Sequence, residues 1–161
     1  MHRGCTVFGM RTLTMTSRVL ASATVVWQWV TTPEGINSEL MPVLRMTMPA
    51  PMRGRTIDQM GAETHVGRSY FLLLGFLPFG YDDITLAEIG PGTRFLETST
   101  VMSMRTWRHE RTITPDGDAC EVHDQVTFEP RLRLPGGEFL IAAALRALFR
   151  HRHRRLFRRF A

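Results

Sequence analysis

The chain has no lysine; all 20 of its basic residues are arginine. It shows no Walker motif, no phosphate-binding glycine loop, no Ser/His/Asp order and no cluster with zinc-ligand spacing. The missing lysine is read as the coding bias of a GC-rich genome rather than a design for holding phosphate. Cysteine is nearly absent too. Cys5 and Cys120 stand too far apart in sequence to form a metal or redox motif, which favours a reduced, cytoplasmic setting. Long apolar runs are also missing. Residues 19–30 come nearest, but Ser22, Thr24 and Gln28 interrupt them, and Trp27 and Trp29 stand where a leader has small residues. That stretch is too short to span a bilayer and is expected to be a helix of the fold rather than a signal peptide. Neither an internal repeat nor a low-complexity segment is evident, apart from an arginine-rich end.

What is present fits one globular unit. A chain of 161 residues, 43% hydrophobic and 22% charged, has an ordinary composition and can bury a sizeable core. The expectation is a single domain over 1–161, with its core at about 6–160 and residues 1–5 disordered. The net charge of +5 is concentrated. Seven arginines lie in 146–161, which holds no acid, leaving 13 arginines against 15 acids elsewhere. That end could bind phosphates of nucleic acid or an anionic membrane, with affinity that falls as salt rises. A solvated basic face is the preferred reading.

The most informative stretch is 104–130. Two alternating runs flank Pro115-Asp116-Gly117-Asp118, and Asp-Gly between such runs is a strong hairpin signal. With Asp116 and Gly117 as loop residues, Trp107 faces Val126, His109 faces Asp124 and Arg111 faces Val122. Side chains alternate faces along a strand. One face then carries Trp107, His109, Arg111 and Ile113 against Cys120, Val122, Asp124, Val126 and Phe128. It is mostly apolar and should point inward, with the pair His109 and Asp124 in its middle.

The remaining elements follow in order. Thr6 to Thr16 reads as a strand. Ser17 or Ser22 can cap a helix whose apolar face holds Val19, Ala23, Val26, Trp27 and Val30. Thr32-Pro33-Glu34 starts a second short helix ending near Leu40. Strands are expected at 43–48, 68–76, 83–89 and 93–101. Residues 52–67 form a loop with one helical turn from Thr56, and 75–80 form a turn. Glu138 to Phe160 reads as a helix of roughly 35 Å, with Ile141, Leu145, Leu148, Phe149, Leu156 and Phe160 as its apolar stripe. Arg152 falls within that stripe, and His151 and His153 are expected in solvent. The fold class is α+β: a curved antiparallel sheet of about six to seven strands around a long C-terminal helix, with two short helices after the first strand.

This order resembles the START-like, or SRPBCC, ligand-binding superfamily with its helix-grip fold. The resemblance covers about Thr6 to Phe160. It rests on Ala21 to Trp27, Gly75-Phe76-Leu77-Pro78, Phe95-Leu96-Glu97-Thr98-Ser99, Trp107-Arg108-His109, Asp124, and Phe149-Arg150-His151-Arg152. It implies an apolar cavity between sheet and helix that encloses a lipid, polyketide or similar hydrophobic small molecule. No cofactor and no metal are expected. Trp107, Phe95 and Phe128 are the candidate walls, and His109, Asp124, Glu97 and Arg111 the polar fixtures. Arg152 either reaches the cavity mouth or lays its stem on apolar surface with its head in water.

Two functions remain open on these residues. The first, favoured, is non-catalytic binding, with His109 and Asp124 orienting a ligand or fixing strand register. The second is an aromatase/cyclase- or dehydratase-type enzyme in which His109 and Asp124 move a proton at a carbonyl substrate.

Overall fold

The computed structural model describes residues 9–132 and 134–161. The strand expected from Thr6, the disorder expected at 1–5 and the role of Cys5 lie outside those residues or on their edge. The elements are β1 (Arg11–Val19), α1 (Ala23–Val30), α2 (Pro33–Leu40), β2 (Leu44–Met46), β3 (Thr64–Leu73), β4 (Leu77–Ile89), β5 (Arg94–Val101), β6 (Met104–Asp116), β7 (Ala119–Pro130) and α3 (Gly137–Arg159). The strands form one seven-stranded sheet in the order β1-β7-β6-β5-β4-β3-β2. Every pairing is antiparallel. The sheet curls around α3, the α+β helix-grip arrangement expected from the sequence.

Local chemistry explains where the helices begin. Ser22 caps α1 by accepting from the Val25 amide, and Thr32 caps α2 by accepting from Gly35, with Pro33 in the first turn. A hydroxyl there satisfies an amide that has no intrahelical partner. Of the two possible caps for α1, Ser17 is therefore not the one used. It stays in β1, which runs on to Val19, and Val19 is a buried strand residue opposite Cys120 rather than a helix residue. Gly35 lies hard against the end of α1, where a Cβ would overlap the carbonyl of Trp29. Gly35→Ala is expected to cost about 1–3 kcal/mol, measured as a lower midpoint in urea at unchanged m value.

The β6–β7 hairpin keeps the expected faces but not the expected partners. Asp116 still pairs with Ala119, so the loop is Gly117-Asp118. Gly117, at φ 61°, takes the first loop position, where a primed turn of this kind places glycine. Trp107 therefore faces Phe128, His109 faces Val126 and Arg111 faces Asp124. The expected pairs of Trp107 with Val126, His109 with Asp124 and Arg111 with Val122 are each displaced by two residues. A two-residue displacement preserves the alternation of faces. His109, Arg111, Ile113, Cys120, Val122, Asp124, Val126 and Phe128 are accordingly all buried.

The β3–β4 hairpin departs further. Positive φ at Leu74 and Gly75 sets the turn there, and β4 begins at Leu77 rather than at residue 83. Thr56 does start a helical turn, at Ile57–Gln59. A second short turn lies at Ala50–Met52, and Thr64, expected in a loop, already belongs to β3.

Two apolar clusters hold these layers together. Val26, Trp27, Phe95, Ile113, Val122 and Leu156 belong to the first, under α1. Leu13, Val101, Val126, Phe128 and Phe149 belong to the second, under the middle of α3. Among the described residues no helix is long and apolar enough to cross a membrane.

Candidate functional site

Between the inner face of the sheet and α3 the side chains leave a cavity of about 510 Å³. Its wall is mostly aliphatic and aromatic, drawn from α2 (Ile36, Leu40), β4 (Ile84, Leu86), β5 (Phe95, Val101) and α3 (Ile141, Leu145, Leu148, Phe149). The polar side chains on it include Asp82, Glu97, Ser103, His109 and Arg152. Near this wall the β3–β4 hairpin exposes Leu74, Phe76, Leu77 and Phe79, and Phe79 itself lines the cavity.

Five of the expected site residues line this space: Phe95, Glu97, Trp107, His109 and Arg152. Three do not. Phe128 is fully buried in the second apolar cluster, facing Trp107 across the strands. Arg111 and Asp124 lie behind the wall, in a charged network in which each is the other's partner. Arg111 Nε and Nη2 donate to the two oxygens of Asp124 at 2.7 Å each. Its Nη1 and Nη2 also donate to Glu39 at 2.7 and 3.0 Å. With its fork engaged on both sides, Arg111 has little left to offer a ligand. Its acidic partners are Asp124 and Glu39, not a ligand.

Asp124 accepts four hydrogen bonds. Besides Arg111, His109 Nε2 lies 3.0 Å from Oδ1 and His153 Nε2 lies 2.9 Å from Oδ2. Burial alone would raise this carboxyl. The charge of Arg111 and the hydrogen bonds of Arg111, His109 and His153 outweigh burial and hold it well below its usual range. An ionised carboxylate only accepts, so both imidazoles present Nε2–H to it. The Nδ1 of His153 is hydrogen-bonded with Ser17 Oγ at 2.7 Å. His109 Nδ1 points to the cavity side, 3.9 Å from Glu97 Oε2. The His109 ring is wedged edge-on between Phe95 and Phe149, with centroids 5.4 and 5.2 Å away.

Glu39 completes the network. Burial would raise it, but Arg111 and Arg152 bring it below its ordinary value. The Arg152 head is not in water. Its Nε donates to Glu39 at 3.0 Å, and its Cζ lies 5.0 Å from the Phe149 ring centroid. The expected solvation of His151 and His153 is also corrected. His153 is buried, and His151 Nε2 bonds the Met41 carbonyl at 3.0 Å. Farther along α3, Arg155 donates to the Ser38 carbonyl and Arg159 sits over Trp29. Part of the arginine-rich end is thus engaged with α1 and α2.

Sequence reasoning missed Glu39, His153 and Asp82. Two signals were available. His153 falls four residues after Phe149 and three before Leu156, squarely on the apolar stripe. Glu39 falls four after Gly35 on the buried face of α2. Asp82 was hidden because β4 was expected to start one residue beyond it. It is 3% exposed, lines the cavity, and its Oδ1 is buried without a hydrogen-bond partner. Burial, followed by the charge and hydrogen bond of neighbouring Glu97, pushes it up to about 10. Glu97 itself accepts from Ser99 Oγ at 2.7 Å. Among the described residues no three His, Cys, Asp or Glu side chains converge so as to hold a metal ion.

Comparison with known proteins bears on the fold. A family model described as "Domain of unknown function (DUF8410)" matches residues 17–160. No curated protein matches the chain. Among solved structures, a START superfamily protein from Mycobacterium smegmatis is 16% identical, with a TM-score of 0.63 over 90% of this chain and 96% of that one. The Zhui aromatase/cyclase from Streptomyces is 13% identical, with a TM-score of 0.65 and 92% of each chain covered. The di-domain ARO/CYC BexL is 15% identical, with a TM-score of 0.63 over 92% of this chain and 45% of that one. The fold is START-like.

Proposed function

The chain belongs to the family described as Domain of unknown function (DUF8410), and from that membership, its START-like fold and its cavity we propose that it binds a hydrophobic small molecule between sheet and α3. The observation that carries this reading is the cavity of about 510 Å³ with its largely apolar wall. Small-molecule sites typically have such a volume, about 300–1,000 Å³, and a few placed polar groups. Each 100 Å² or so of apolar ligand surface buried contributes about 2.5 kcal/mol before association costs. The network behind the wall serves this function by fixing His109, so that one ring nitrogen faces the ligand in a single orientation. Arg111 and Asp124 are positioning residues in this reading.

Native mass spectrometry of the protein as purified is expected to show a co-purifying apolar molecule. Ala144→Trp, which projects an indole from α3 into the cavity, is expected to lower its capture at least about tenfold, a loss of about 1.4 kcal/mol. Equal capture by the variant would remove the cavity as the site.

A second reading has one observation in its favour. His109 has Nε2 anchored on Asp124 while Nδ1 faces Glu97 on the cavity wall, an arrangement that suits proton movement at a bound carbonyl compound. Two structural neighbours, the Zhui aromatase/cyclase and the di-domain ARO/CYC BexL, are proteins of that kind. His109→Ala distinguishes the two: in a binding protein it weakens capture with no turnover to lose, whereas in an enzyme turnover is lost while capture is largely kept.

A further inference from the structure

We propose that one end of the sheet docks the protein on an anionic lipid bilayer, with the tip of the β3–β4 hairpin seated among the lipid chains. This goes beyond the binding reading and stands without it. The sheet topology gathers three connections at this end: the β3–β4 turn, the β5–β6 turn and the passage from β7 into α3. All three present large apolar side chains to solvent. The hairpin contributes Leu74, Phe76, Leu77 and Phe79, and the β5–β6 turn contributes Met102. Leu132 and Leu134 add to them on the approach to α3, and Phe139 and Leu140 in its first turn. The strand connections at the opposite end, 90–93 and 117–118, hold glycine, proline, threonine and aspartate instead.

Several features of this end suit lipid. In residues 137–148 of α3, Glu138 and Arg146 are the only charged residues. Leu140, Ala143, Ala144 and Ala147 are nonetheless exposed, and a helix apolar on every side is ordinarily covered. Leu74 holds φ 53°, a conformation that glycine or asparagine adopts at less cost, and so an exposed leucine stands where a polar turn residue would be cheaper. The amides of the tip are satisfied within the protein. Leu74 N–H donates to the Val43 carbonyl at 2.9 Å, and those of Gly75 and Phe76 donate to Leu72 and Leu73 at 3.2 Å each. The tip therefore enters an apolar phase without stranding these donors. Charge selects a bilayer over a second copy of the chain. Arg45, beside Leu72 in the sheet, and Arg105, Arg131 and Arg146 are exposed around this end. The acids among them are engaged, Glu138 by Arg11 at 3.3 Å and Glu129 elsewhere. Two copies meeting end to end would set these arginines against their equals, whereas anionic headgroups attract them. Phe79, Met102 and Ser103 also line the cavity, so docking brings that wall of it to the membrane.

The test sediments the full chain with vesicles of phosphatidylcholine and phosphatidylglycerol in equal amounts, and with vesicles of phosphatidylcholine alone. The wild-type protein is expected to bind the mixed vesicles, to lose binding as salt rises, and to bind phosphatidylcholine alone at least about tenfold more weakly. Leu74→Asn combined with Phe76→Ser, at two exposed positions, is expected to lower binding to the mixed vesicles at least about thirtyfold, with the urea midpoint unchanged. Arg45→Gln combined with Arg105→Gln is expected to lower it about twentyfold. Arg154→Gln combined with Arg158→Gln, toward the other end of α3, is expected to leave it within about threefold. Phe76→Trp places a reporter at the tip, and its added emission is expected to shift to the blue on mixed vesicles and to be quenched by brominated acyl chains. No binding of the wild-type chain to the mixed vesicles at low salt overturns the proposal. Equal binding by the Leu74→Asn, Phe76→Ser protein also overturns it, as does a larger loss from the Arg154 and Arg158 substitutions, which moves the contact to the arginine-rich end of α3. A concentration-dependent dimer in sedimentation velocity that the Leu74→Asn, Phe76→Ser protein no longer forms assigns this face to a second copy and overturns it too. Each of these outcomes leaves the cavity reading intact.

Discussion

Arg111→Ala is expected to destabilise the protein by about 3–5 kcal/mol, the range found when one partner of a buried ion pair is removed. The guanidinium is 1% exposed and donates to both oxygens of Asp124 and both of Glu39. Removing it leaves two carboxylates inside the protein without the charge that compensates them. Arg152 still reaches Glu39, and His109 and His153 still reach Asp124. They hold the geometry but replace only part of the lost attraction. Urea unfolding monitored by tryptophan fluorescence measures the loss as a lower midpoint at unchanged m value. Adding Glu39→Gln and Asp124→Asn to the same chain neutralises the stranded charges and is expected to recover about half of the loss, because desolvation of an amide costs far less than that of an ion. A loss below about 1 kcal/mol in the single variant would mean that the carboxylates take up protons or water at little cost. The network would then be dispensable to the fold.

The same network shows how far the residues announced the structure. Alternation along 105–114 and 119–129 identified the inner face of the β6–β7 hairpin, and that face survived because alternation depends only on parity. It did not identify partners. A hairpin with Asp-Gly can place its loop on either side of Asp116, and the choice belongs to backbone geometry at Gly117. His109 and Asp124 meet diagonally at 3.0 Å instead of directly across the strands. The caps at Ser22 and Thr32 were legible because a hydroxyl followed by an apolar period has few other uses. Ser17 had the same chemistry, but its hydroxyl was required by His153, 136 residues away, and local pattern carries no trace of that. Glu39, Arg152 and His153 are polar residues turned inward by charges on other elements. Composition alone assigns such residues to solvent, and the arginine-rich setting of α3 reinforced that error. Asp82 was missed for a different reason. An exposed apolar segment with glycine and proline resembles a turn, yet residues 77–82 pair with β3 and extend β4 into the cavity wall.

Stability is expected to fall as pH rises from about 5 to 8, against the usual behaviour of a protein held by carboxylate ion pairs. Of two opposed contributions, only one acts across this window. Glu39 and Asp124 lie below their ordinary values in the folded state. Their contribution is complete above the unfolded values, near pH 4, and is lost as pH falls through the folded ones. Asp82 runs the other way. Its folded value is raised from 3.8 to about 10 by burial and by Glu97. The unfolded chain releases this proton near its ordinary value, whereas the folded protein keeps it. Folding must then take up a proton at every pH between the two, and stability drains away as pH rises. Full linkage of one proton is about 1.4 kcal/mol per pH unit, so three units set about 4 kcal/mol as the scale of the fall between pH 5 and 8. Asp82→Asn has no proton to lose, so its profile is expected to be flat over that range. Relative to the wild-type protein it is expected to gain about 4 kcal/mol between pH 5 and pH 8. Parallel profiles for the two proteins would mean that Asp82 is ionised in the folded state. That requires a cation close to it, and the groups acting on this carboxyl are Glu97, Ser99 and Asp83.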